Sequence, residues 1–150
     1  MTDSSHFEVS YKINPWMAPE AWRRDEAANR AQAREAQGRL AAALRQAGAR
    51  VTFMDGVPGL PDMVFPANAA IVFNGRAMAA RFRHHERRGE EPHFLAKRMH
   101  LQEIGLLSDV TQAPKGCCQE GAGDCIWDAS RQIFWAGFGP RSSFEAIAAI

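Results

Sequence analysis

Ala70-Ile71-Val72-Phe73-Asn74-Gly75, with an apolar pattern resuming from Met78 to Phe82, sets an Asn-Gly pair between two short hydrophobic runs. A two-residue β-turn of this kind needs positive φ at both central positions, which Asn and Gly accept most readily. The stretch predicts a tight antiparallel hairpin. Towards the N-terminus, residues 50–54 and Met63-Val64-Phe65 read as further strands. Between them lie Asp55-Gly56 and a loop through Pro58 and Pro61 that no helix tolerates. Pro66-Ala67-Asn68-Ala69 is a small-residue segment leading into the hairpin.

Beyond the hairpin, residues 81–91 (RFRHHERRGEE) read as a charged loop. Pro92 opens a helix with Phe94, Leu95, Met99 and Ile104 as its core residues, and residues 106–111 read as a strand. Then the order begins again. Cys125-Ile126-Trp127 and residues 132–136 are two strands around Asp128-Ala129-Ser130-Arg131, followed by a loop over 137–141. Ser142-Ser143 with Glu145 resembles a helix N-terminus running into residues 146–150. The repeated order predicts an α/β fold built from ββαβ-like units. Upstream, Asn14-Pro15 and Met17-Ala18-Pro19 break an irregular N-terminal stretch. Pro19 then opens one long helix, with Trp22, Leu40 and Leu44 as the large residues of its packing stripe and Gly48 as its C-terminal cap.

The chain has 150 residues, 18 Lys+Arg against 17 Asp+Glu, and is 46% hydrophobic. That length and composition suit one domain over residues 1–150, and no internal linker interrupts it. A net charge of +1 excludes a strongly basic grip on nucleic acid. No apolar run is long enough for a transmembrane helix, and no signal-peptide pattern opens the chain. Cys117, Cys118 and Cys125 are an odd, crowded set rather than a disulfide framework, so a reducing cytoplasm is the expected compartment. No CxxC or HxxxH pair, Walker motif or dinucleotide glycine motif occurs, so neither a metal nor a cofactor is expected.

Three groups of residues have chemistry to offer. Asp62, between a turn and an apolar run, either caps the loop or faces a cleft. Glu120-Gly121-Ala122-Gly123-Asp124 is either a solvated acidic turn or a clamp for a planar cation, since glycines let the backbone approach a ligand and guanidinium presents donors in a rigid fork. Arg81, Arg83, Arg87 and Arg88 with His84 and His85 bind an anion or are simply solvated, balanced by Glu86, Glu90 and Glu91.

Five ordered motifs then carry a resemblance across nearly the whole chain. They are Asn14-Pro15-Trp16-Met17; Gly59-Leu60-Pro61-Asp62-Met63-Val64-Phe65-x-x-Asn68; Arg81-Phe82-Arg83-His84-x-x-Arg87-x-x-Glu90; Glu120-Gly121-x-Gly123-Asp124; and Trp135-Ala136-Gly137-Phe138-Gly139-x-Arg141-Ser142. Together they resemble the guanidino-group-modifying enzymes of the pentein (αβ-propeller) superfamily, nearest to amidinotransferase-like proteins and dimethylarginine dimethylaminohydrolases. The resemblance implies a partial pentein αβ-propeller, about half of the five-module fold. It also implies an arginine or methylarginine substrate held by acidic side chains. A cysteine thiolate attacks the guanidinium carbon, a histidine protonates the departing amine, and water releases a ureido product.

Carried over residue by residue, the resemblance makes Asp62 a guanidinium-binding carboxylate with Phe65 packed beside the substrate. Glu120 and Asp124 would be the acids that orient the histidine and grip the substrate, in an order left open. One of Arg81, Arg83 and Arg87 would contact the substrate's carboxylate. Asn68 follows Ala67 where many dimethylarginine hydrolases carry an acidic pair, and the Glu120–Asp124 interval is one longer than in several relatives. The family's His-Leu-Asp-like segment and late cysteine have no counterpart, so the nucleophile and catalytic histidine are expected beyond this chain and the chain alone is expected to be inactive. The alternative is a non-catalytic guanidinium-binding module or an inactive fragment. The partners expected are a small guanidine, and a second copy of the chain or a complementing chain.

Overall fold

In the computed structural model, which describes residues 1–150, the Asn74-Gly75 turn closes as its chemistry requires. Asn74 has φ +47° and Gly75 +75°. Strand β1 (Ala70–Phe73) pairs antiparallel with β2 (Arg76–Ala79), with Phe73 opposite Arg76 across the two-residue turn. The second strand thus starts two residues earlier than its apolar run, because a two-residue loop leaves no other register. The chain packs as two compact units, Met1–Phe65 and Pro66–Ile150.

In the second unit, residues 81–91 are not a loop. They hold a short helix, α3 (His85–Arg88), and the start of α4 (Glu91–Glu103), with Pro92 in its first turn. Helix α4 packs against β2 and β3 (Asp109–Gln112), and β3 pairs parallel with β2, giving the sheet order β1-β2-β3. This is one ββαβ module, the α/β unit that the sequence predicts. Of the expected α4 core residues, Phe94 is buried, but Met99 and Ile104 are exposed at 51% and 55%. Phe94 is the buried side chain of the helix, which packs against a strand β2 whose buried residues, Ala77 and Ala79, are small.

A second antiparallel hairpin follows, β4 (Cys125–Asp128) with β5 (Ile133–Ala136). Asp128 holds its turn, accepting hydrogen bonds from the Ser130 hydroxyl at 2.7 Å, the Trp135 indole at 3.1 Å and Arg131 at 2.9 Å. Led by the Ser130 bond, these keep its carboxyl well below the usual carboxylate range. Phe73, Trp127 and Phe134 form one aromatic cluster, with centroids 4.4 to 5.2 Å apart, that fastens this hairpin to β1. The last segment is a 3-10 helix, Phe144–Ala149, rather than an α-helix. Ser143 precedes it without capping it through its side chain.

The first unit departs further from expectation. Its helix is two helices, α1 (Pro19–Arg24) and α2 (Glu26–Gln46), broken at Asp25, where φ is −144° and ψ 54°. Gly48, at φ +88°, ends α2 as expected, its N–H on the Arg45 carbonyl and the Ala49 N–H on that of Leu44. Leu40 and Leu44 are exposed, at 54% and 37%. The packed face is instead Asn29, Ala33, Gln37 and Ala41, four apart on one side of the helix. It is fastened by polar bonds: Gln37 accepts the Ser4 N–H at 3.0 Å and donates to the Thr2 carbonyl at 2.7 Å.

Residues 50–54 form no strand. Only Met54 bridges Thr2, in parallel. Met63-Val64-Phe65 is also not a strand, because Pro61 opens a 3-10 turn over Pro61–Val64 that buries Asp62 and Met63. Proline pre-sets the φ of such a turn, and that local preference overrides the β-propensity of Val and Phe. No helix is long and apolar enough to cross a membrane.

Candidate active site

The Glu120 turn is built by close backbone approach. A 3-10 turn, Gly121–Gly123, packs against another, Pro66–Ala69. Gly121 has φ +64°, and a Cβ there would lie 2.4 Å from the Ala67 carbonyl oxygen, so only glycine fits. At Gly123 a Cβ would meet the Asn68 amide nitrogen at 2.3 Å. The space these glycines leave brings Asn68 to Glu120, its Nδ2 donating to the Glu120 carbonyl at 3.4 Å.

Glu120 is 1% exposed, so the solvated acidic turn weighed from the sequence is not what forms. Its Oε1 accepts the Arg83 backbone N–H at 3.3 Å, and its own N–H donates to Ser142 Oγ at 3.1 Å. Burial pushes the Glu120 carboxyl above the ordinary glutamate value, against the Arg83 hydrogen bond and the charges of Arg87 and Arg141. A buried carboxyl still ionisable among cations suits the binding of a delocalised cation.

Asp124 sits differently. Arg141 pairs with its Oδ1, and Ser142 Oγ donates to its Oδ2 at 2.7 Å. Ser142, 4% exposed, thus ties both acids together through one hydroxyl. Ser143 stands at the start of the closing 3-10 helix, and its hydroxyl accepts the Cys118 N–H at 3.1 Å, two residues before Glu120.

The basic cluster divides. Arg81 donates to the Ala113 carbonyl at 2.5 Å and lies 3.9 Å from Glu91. Its backbone pairs with Gln119, so β2's continuation runs beside the acidic turn. Arg83 reaches the Arg141 carbonyl at 3.3 Å and is exposed. Arg87 is 4% exposed and makes a two-pronged pair with Glu90, Nε to Oε1 at 2.9 Å and NH2 to Oε2 at 2.7 Å. Its guanidinium also lies 4.3 Å over the Phe82 ring. The solvated reading therefore does not describe Arg87 or Glu90.

Asn68, Arg83, Glu120 and Asp124 converge in the second unit. Asp62 and Phe65 belong to the first unit, where Asp62 is 5% exposed and Phe65, at 45%, lies edge-on to Phe7 at 6.0 Å. Cys125 is 2% exposed, and burial, with Asp124 adding to it, pushes its thiol up, which disfavours the thiolate a nucleophile needs. No group of three or more His, Cys, Asp or Glu side chains is placed to hold a metal ion. Sequence reading gave Gln119 no role. It is 1% exposed, and its amide donates to the Gly121 carbonyl at 3.1 Å while accepting the Gly121 N–H at 2.8 Å.

The chain is similar to known proteins. The chain is 34% identical to an uncharacterised protein of Caenorhabditis elegans, over its whole length and 50% of that protein. It is 35% identical to the bifunctional arginine dihydrolase/ornithine cyclodeaminase ArgZ of Synechocystis, over 97% of this chain and 19% of ArgZ. Against the substrate-bound crystal structure of the N-terminal domain of ArgZ the TM-score is 0.81, with 32% identity, covering 99% of this chain and 51% of that one. The N(G),N(G)-dimethylarginine dimethylaminohydrolase of Mycobacterium tuberculosis is 32% identical over the whole chain and 45% of its own length. The chain thus spans about half or less of the length of each of these relatives. The family model described as "N,N dimethylarginine dimethylhydrolase, eukaryotic" matches residues 7–150. With the ββαβ module, the glycine-flanked buried Glu120 and that match in hand, this chain belongs to the dimethylarginine dimethylhydrolase family of guanidino-modifying enzymes.

Proposed function

We propose that the chain supplies the carboxylate-bearing part of an arginine- or methylarginine-type guanidine hydrolase, with the nucleophilic cysteine and the acid–base histidine carried by residues outside these 150. One observation carries this reading. Glu120 is a buried carboxyl with an upward-shifted pKa, held against Asn68 by Gly121, where any other residue would meet backbone. A guanidinium is planar, permanently charged and has a poorly electrophilic carbon. A desolvated carboxylate both binds the cation strongly and fixes the plane that a nucleophile must approach. In the second unit Glu120 and Asp124 are the acids that grip the guanidinium or orient the histidine, beside Asn68; in the first unit Asp62 is a guanidinium-binding carboxylate and Phe65 a packing residue for the substrate. Arg81, Arg83 or Arg87 meets the substrate's carboxylate. Arg83 has the most freedom of the three for that role, because Arg87 is engaged with Glu90 and Arg81 with Ala113.

The relatives' names favour hydrolysis over amidino transfer, since one is an arginine dihydrolase and another a dimethylaminohydrolase. Cys125 is poorly suited to be the nucleophile, because it is buried with its thiol pushed up. Titration calorimetry with L-arginine and NG,NG-dimethylarginine, beside a citrulline assay, tests the reading. The 150-residue chain is expected to bind L-arginine, to lose about tenfold or more in affinity in Asp62→Ala, and to form no citrulline. Robust turnover abolished by Cys125→Ala, or binding indifferent to Asp62→Ala, would overturn it.

A further inference from the structure

We propose that Gln119 is a positioning residue, a side-chain amide that holds the peptide of Glu120 in place by clasping the next residue at both its N–H and its carbonyl. The geometry is specific. Gln119 Oε1 accepts the Gly121 N–H at 2.8 Å and Nε2 donates to the Gly121 carbonyl at 3.1 Å. An amide presents one donor and one acceptor side by side, as a neighbouring strand would, so Gln119 acts as a one-residue strand partner for Gly121.

The Gly121 N–H needs such a partner. Gly121 stands at φ +64°, wedged against Ala67 and Asn68; its carbonyl also accepts the Asp124 N–H at 3.2 Å, whereas its N–H is met by the Gln119 side chain. Gln119 is itself immobile. It is 1% exposed, and its backbone pairs with Arg81 in both directions at 3.0 Å. A rigid strand residue therefore grips the residue after Glu120, and the Glu120 peptide is trapped between the two. From there the Glu120 N–H meets Ser142, its carbonyl meets Asn68 and its carboxylate meets the Arg83 N–H. A freely turning Glu120 peptide would lose all three together. Methionine at position 119 fills a similar volume with no amide. Glutamate keeps the acceptor but, when ionised, cannot donate to the Gly121 carbonyl.

The test follows the Glu120 carboxyl and the Gly121 amide by NMR, because neither readout depends on a ligand. In the unaltered chain the Gly121 N–H is expected to be protected from hydrogen exchange. In Gln119→Met it loses that protection by about tenfold or more, and the Glu120 titration midpoint falls towards the ordinary glutamate range as water reaches the carboxyl. Gln119→Glu is expected to lie between the two. An unprotected Gly121 amide in the unaltered protein would overturn the proposal even if Gln119→Met failed to fold. So would a folded Gln119→Met with an unmoved Glu120 midpoint. A further arm rests on the guanidine-binding reading: Gln119→Met weakens L-arginine binding about tenfold while the bulk fold, seen in the amide spectrum, is kept. If the unaltered chain binds no arginine, the functional reading fails while the two NMR outcomes still decide the role of Gln119.

Discussion

At the scale of single residues, the two acids of one turn have been given different environments. Asp124 is consumed by Arg141 and Ser142, whereas Glu120 is buried with its pKa raised. Burial is the leading cause of that rise, so Glu120 behaves as a group whose neutral form the fold prefers. The folded protein then holds a proton on Glu120 over a pH range in which the unfolded chain has released it. Stability from this group is fully present below the ordinary glutamate pKa and is lost as pH rises through the folded value. Glu120→Gln, neutral at every pH, should therefore become more stable relative to the unaltered protein as pH climbs from 4 to 8. Urea unfolding at several pH values measures it, and a difference that stays flat or reverses would show that the arginines nearby outweigh burial.

At the scale of elements, the charged run 81–91 shows why charge composition misleads. Eleven mostly polar residues look solvated, yet the segment folds into α3 and the start of α4 around Arg87 and Glu90, which are 4% and 0% exposed. Truncating one partner leaves a charge buried. Arg87→Met is expected to lose about 3–5 kcal/mol, and the double change Arg87→Met with Glu90→Leu less than the sum of the singles by about 1–3 kcal/mol. Simple additivity in chemical unfolding would show that the two are not coupled.

The same contrast explains what could be read in advance. The Asn74-Gly75 hairpin and the β4–β5 hairpin were legible because a turn's chemistry is local. The Pro61–Val64 turn was not, because three apolar residues after a proline look like a strand until burial selects Asp62 and Met63. Leu40 and Leu44 suggest a helix face by their size, but the packed face is set by Asn29, Ala33, Gln37 and Ala41, with Gln37 bonded to the N-terminal segment. Glu120 and Asp124 were visible as acids flanking glycines. Their separate environments come from Arg141 and Ser142, far along the chain, and no spacing rule reports that. Gln119 carries no local signal at all.

At the scale of the whole molecule, the apolar surface is unevenly distributed. Within the second unit, β4 and β5 send Trp127 and Phe134 into the aromatic cluster on one face. Ile126 and Trp135, directly opposite each other in the register, turn to the other face and are 62% and 59% exposed. Phe138 and Phe144, stacked edge-on at 5.2 Å, add exposures of 62% and 63% further along. Exposed large apolar groups gain about 25 cal/mol per Å² when covered, so this surface favours association. The 150-residue chain is therefore expected to self-associate with rising concentration. Ile126→Thr with Trp135→Lys should return it towards the monomer at a cost in unfolding free energy of only about 0.5–1.5 kcal/mol, since both side chains face water and the loss is that of the Trp135–Asp128 hydrogen bond. Sedimentation velocity across a concentration series separates the outcomes. A chain that is monomeric throughout, or one whose association survives the double change, would show that the Ile126–Trp135 face is not what drives assembly. A large loss of stability would show instead that the two side chains pack within the unit.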